Sequence, residues 1–210
     1  MSIRNSIIYR DSVSVQLGEV LDAIQFAETR CDSDPALWVS LGEVLGHLCL
    51  AWHRRSLGPL QFFNGSDESY ERMATSVPNW SGRCRLVPLA SPHPAIPPEA
   101  NGRDINCDTV RAYLRKARTA ANELRDKVEA GQFDKCNTIT LAREFEPILS
   151  YLCLAWHLRH LTDAEIGSLS TQLLSGLEAM LPVWRWNLRL VALEEAGPEG
   201  QGASSEAGGI

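Results

Sequence analysis

Two Cys-x-x-x-His pairs, Cys49 with His53 and Cys153 with His157, are the residues whose type and spacing point most directly to chemistry. Residues four apart share one face of a helix, so each pair can aim a thiol and an imidazole in the same direction. Brought together, the four would form the Cys2His2 tetrahedron that zinc favours, and a zinc ion there would tie two parts of the chain together. A second reading needs no metal. Each cysteine is set among leucine and alanine as a small core residue, and each histidine closes its helix against the last carbonyls or a carboxylate. Structural zinc motifs usually include a loop-borne Cys pair, whereas Cys31, Cys49, Cys84, Cys107, Cys136 and Cys153 contain no CxxC. As a set they read as reduced, mostly buried thiols.

Other constellations offer less. Arg55 with Arg159 and Arg85 with Arg189 could line a cleft that binds an anion; the plainer reading is that they pair with carboxylates or cover apolar surface with their stems. Glu68 with Glu71 and Glu144 with Glu146 would suit magnesium in a helical phosphohydrolase, yet neither pair has a second acidic cluster at matching spacing. No P-loop, GxGxxG, HExxH or GxSxG is present. The run Arg111, Arg115, Lys116 and Arg118, followed by Glu123, Asp126 and Glu129, reads as a solvated helix face. Catalytic residues therefore remain unassigned.

The elements that position these residues show an internal repeat. LCLAWH occurs at Leu48 to His53 and again at Leu152 to His157, and the offset of 104 then holds without a gap. Of the 42 positions from Leu48 to Leu89, 15 are identical to their partners, too many for chance composition. Trp52 and Trp156, and Trp80 and Trp184, are repeat-paired and read as framework, leaving Trp38 and Trp186 less constrained. The implied organisation is a first helical repeat (1–89), a Pro-rich linker (90–106), a second helical repeat (107–194) and a disordered tail (195–210).

The expected fold is mainly α: two tandem copies of a three-helix unit packed about a pseudo-twofold axis, each ending in a short β-strand. Val13, Leu17, Val20, Leu21 and Ile24 mark the first helix, which follows Asp11 and Ser12 as candidate caps, and Val110, Leu114, Ala117, Ala121, Leu124 and Val128 mark its counterpart, which starts after Asp108 and stops at Gly131. Asp34-Pro35 opens a second helix running to about Arg55; its counterpart spans about Leu141 to Arg159, and Pro147 within it is expected to kink the helix or mark a later start. The third helix is expected from about Ser66 to Ser76 in one copy and, after the capping box Thr162 to Glu165, as far as Met180 in the other. Alternation at Trp186, Leu188 and Leu190 suits a strand. The two LCLAWH segments are expected to meet at the axis, where Ala51 and Ala155 would permit close approach.

Hydrophobic residues make up 44% of the chain and charged residues 22%, the composition of a globular protein with a sizeable core. The formal charge of −6 argues against a nucleic-acid surface. With no signal-like or membrane-length apolar run read from the sequence, the expectation is a cytoplasmic protein without a membrane partner. The preferred function is non-enzymatic: binding of a protein partner, or self-association. The alternative is a metal- or small-ligand-binding protein, an enzyme in one version, with its site between the copies and zinc as the cofactor.

Overall fold

Apolar residues on one helical stripe, broken by capping side chains and glycine, account for most of the elements. A computed structural model describes residues 8–58, 65–88, 103–134 and 138–193. Most of the Pro-rich linker, Cys136 and the tail fall outside them. Helix α1 (Arg10–Thr29) buries Val13, Leu17, Val20, Leu21, Ile24 and Ala27; it starts ahead of the expected caps, so Asp11 and Ser12 lie in its first turn. Helix α2 (Asp34–His53) begins with the Ser33 side chain accepting from the Ala36 amide and with proline in its first turn. It passes into a 3-10 turn at Arg54–Ser56. Helix α3 (Asp67–Ala74) is capped by Ser66.

In the second half, α4 (Cys107–Glu129) is capped by Asn106, so it starts before Asp108 rather than after it, and it buries the whole expected stripe. Gly131, at φ 73°, takes the left-handed conformation that follows its last turn. Helix α5 (Thr138–His157) runs through Pro147, so that proline does not mark a later start as one expectation had it; it removes one backbone donor without ending the helix. The expected third helix divides in two: α6 (Asp163–Gly167) and α7 (Thr171–Glu178). The hydroxyl of Ser168 turns back to the Glu165 carbonyl (2.6 Å), and Ser170 caps the Leu173 amide (3.2 Å), so the serines end one helix and start the next.

The chain is mainly helical, with seven α-helices among the described residues and four three-residue strands. Helix α1 packs on both α2 and α4, α4 packs on α5, and α3 and α7 lie against α2 and α5 respectively. The α1–α4 contact is the broadest helix pairing between the halves, with a narrower one between α2 and α5. The larger core draws Leu17, Ile24, Leu41, Leu48 and Trp52 from the first half and Leu114, Leu124, Phe145, Leu152 and Trp184 from the second. A smaller cluster joins Val87 to Leu154, Leu158, Leu161, Leu177 and Met180.

The strands pair only across the halves. β1 (Ser76–Pro78) runs parallel to β4 (Arg189–Val191) in the register Ser76 to Arg189, and β2 (Arg85–Val87) runs parallel to β3 (Met180–Pro182) in the register Arg85 to Met180. Flanking amides extend both ladders: Asn79 N donates to Val191 O (3.1 Å) and Val183 N to Val87 O (3.2 Å), while Arg85 N donates to Ala179 O (2.9 Å) and Arg189 N to Thr75 O (3.0 Å). In each of these couples the two donors lie 104 residues apart, as do the two acceptors, and the halves exchange roles. The first helices follow a different offset. Tyr9 N donates to Arg55 O (2.8 Å) and Asn106 N to Arg159 O (2.7 Å), acceptors 104 apart but donors 97 apart. A difference of seven residues, absorbed around the α1–α2 and α4–α5 connections, explains why identity fades upstream of the LCLAWH segments.

Candidate functional site

The Cys-His pairs occupy the ends of α2 and α5, where helix hands over to strand. His53 Nε2 lies 2.6 Å from Ser76 O, and His157 Nε2 lies 2.7 Å from Met180 O. A carbonyl only accepts, so Nε2 carries the proton in both rings and anchors the helix end to the first residue of β1 or β3. Cys49 and Cys153 are buried on the same helices, and burial pushes both thiols far above the ordinary range. Among the described residues no three His, Cys, Asp or Glu side chains gather as a metal ion would require. The four candidates therefore stand as two helix-end pairs rather than one cluster.

The repeated arginines are likewise engaged within the fold. The Arg55 guanidinium lies 4.0 Å from the centre of the Trp52 ring and donates to Trp52 O (2.7 Å); Arg159 sits 3.8 Å over Trp156 and donates to Trp156 O (2.7 Å). Burial pulls the Arg55 guanidinium down to about 10. Arg159 also grips Asp34, at the first turn of α2, through Nε (2.7 Å) and Nη2 (3.2 Å). Partial burial works against the Asp34 carboxylate, but the Arg159 hydrogen bonds and charge outweigh it and hold its pKa below the usual value. Arg85 and Arg189 lie exposed on β2 and β4, with Arg189 Nε donating to Ser76 Oγ (3.0 Å). Three of the four acidic candidates take part in ion pairs: Glu71 with Arg185, Glu144 with Lys127 and Glu146 with Arg83.

Two features escaped the sequence reading. Phe145 stacks on Trp80 (centroids 5.2 Å apart) and meets the edge of Trp52 (5.6 Å), so the aromatic framework closes across the halves. The second is the connection between β3 and β4, residues 183–188, which crosses α2 as an arm. Trp38 Nε1 donates to Val183 O (3.3 Å), a Cβ at Gly42 would meet Trp184 O at 2.9 Å, and Gly46 leaves space that the Arg185 guanidinium fills. The G-x-x-x-G spacing of Gly42 and Gly46 was the available signal, since small residues one turn apart let another chain segment approach a helix backbone.

Past this crossing, Asn187 adopts φ 59° and Trp186 stands 82% exposed. Val39, one turn before Gly42 on the helix that the arm crosses, is also exposed. At the 104 offset the first half has Gly82 in place of Trp186. Elsewhere, an open groove of about 370 Å³ is lined by Arg115, Lys116, Thr119, Glu123, Glu144 and Tyr151 on α4 and α5. By length and composition α2 also meets the measure of a membrane span, with 67% of the apolar window buried inside the fold.

These elements define a mainly helical protein in which His53 and His157 each join a helix end to the start of a strand. No family model, no curated protein and no solved structure matches this chain.

Proposed function

We propose that this chain is a duplicated helical protein, its two copies related by a pseudo-twofold axis, that acts by binding another macromolecule or a second copy of itself through the arm between β3 and β4. The duplication is supported by the exchanged strand registers and by hydrogen bonds that recur at the 104 offset. In such an arrangement each arm crosses onto the opposite copy's central helix, and what one arm presents can diverge without disturbing the framework tryptophans.

Trp186 carries the binding assignment. A tryptophan standing 82% exposed, just before the left-handed Asn187, holds a large apolar face in water, while the repeat-paired tryptophans Trp52, Trp80, Trp156 and Trp184 are buried. Aromatic side chains of this kind concentrate binding energy at interfaces. The functional test is a photocrosslinking amino acid at position 186 in cells, with exposed Arg83, in the connection between β1 and β2, as control. A discrete adduct at 186 and not at 83 is expected. Its mass separates the two kinds of partner, since a second copy adds 23.2 kDa. Equal, diffuse labelling at both positions would refute the assignment.

A further inference from the structure

We infer that Cys31 and Cys107 are a thiol pair that closes to a disulfide by exchange with a low-molecular-weight disulfide, fastening the turn after α1 to the start of α4. Cys31 lies in the α1–α2 turn and Cys107 is the first residue of α4. The Cys107 thiol donates to the carbonyl of Cys31 at 2.9 Å, and the Cys31 thiol donates to Glu28 O at 3.6 Å. Because Cys31 sits in a turn rather than a helix, its backbone can absorb the remaining approach that a sulfur–sulfur bond requires.

The opposite junction shows what this pair replaces. Arg10, the first residue of α1, pairs with Asp134 in the turn after α4. Tyr9 and Asn106 make equivalent backbone bonds to Arg55 and Arg159, so Arg10 and Cys107 hold equivalent places. An ion pair thus bridges one junction and two thiols the other.

The environments give the two sulfurs different tasks. Cys107 is partly exposed at the first residue of a 23-residue helix, where an external disulfide can reach its sulfur. Cys31 is 1% exposed, and burial raises its thiol to about 11, so it meets an external disulfide poorly. Cys107 thiolate attacks one sulfur of the small disulfide, RSSR; that S–S bond breaks and one RS⁻ leaves, taking up the proton that Cys107 released. Cys31 then gives its proton to the second departing RS⁻ as its sulfur attacks Cys107. Two protein thiols are oxidised to one disulfide, and RSSR is reduced to two RSH. Cys49, Cys84 and Cys153 are buried and stand apart from this exchange.

The test treats the folded full chain with oxidised glutathione and maps disulfides after combined trypsin and chymotrypsin cleavage, which places Cys31 and Cys49 on different peptides. Wild type should yield a peptide linking Cys31 to Cys107 and little glutathione adduct, whereas C31S should accumulate the adduct at Cys107. Wild type that stops at the glutathione adduct, links either cysteine elsewhere or leaves both thiols unreacted would overturn the inference. The wild-type map decides the matter even if C31S folds poorly.

Discussion

Alanine in place of Gly42 should destabilise this protein, although the same change at Gly18 should stabilise it. Both glycines lie inside helices, where alanine is favoured by about 0.8–1.0 kcal/mol. A Cβ at Gly18 meets nothing within 4 Å, so that gain is retained. At Gly42 the new carbon would sit 2.9 Å from Trp184 O and 3.5 Å from Trp184 Cβ, and the first neighbour is backbone. Either the arm lifts or α2 shifts, and overpacking of this kind costs about 1–3 kcal/mol. The net result is a loss of up to about 2 kcal/mol, so the two variants should differ by about 1–3 kcal/mol. For a chain of this size each kcal/mol moves the thermal midpoint by about 2–4 °C. Thermal unfolding followed by far-ultraviolet circular dichroism, with urea titration as a check, would measure both. A Gly42→Ala protein stabilised as much as Gly18→Ala would mean that the β3–β4 arm does not lie on α2.

Asp34 should contribute to acid sensitivity. Its folded pKa is depressed by Arg159, so its stabilisation is present above the unfolded value of about 4 and is lost as pH falls through the lower folded value. Because its side chain is 43% exposed, the contribution should stay below about 1 kcal/mol. Asp34→Asn should flatten the acid limb of the curve of midpoint against pH, and an unchanged limb would contradict the linkage. The His53→Ala, His157→Ala double variant should lose about 1–3 kcal/mol for each carbonyl left without its imidazole partner, with metal content by elemental analysis the same as wild type. Near-stoichiometric zinc in wild type that disappears in the variant would instead make these histidines ligands.

Local pattern was enough to read the long helices. The stripe from Val110 to Val128 is buried residue for residue, and Ser66, Gly131 and the Thr162–Glu165 capping box all mark element boundaries as expected. These features were legible because helix caps and amphipathic periodicity act within a few residues of one another. The matching offset of 104 was also visible in the chain. Strand pairing was not, because Ser76–Pro78 and Met180–Pro182 are too short to show alternation and find their partners in the opposite half. The i, i+4 spacing put each cysteine and histidine on one helical face but could not say what that face would meet. Tertiary structure turned His53 and His157 toward strand carbonyls, joined Phe145 to Trp52 and Trp80, set an arm over Gly42 and brought Cys31 beside Cys107. Each of those contacts depends on how two distant segments share one core, and no local preference in the chain encodes that distance.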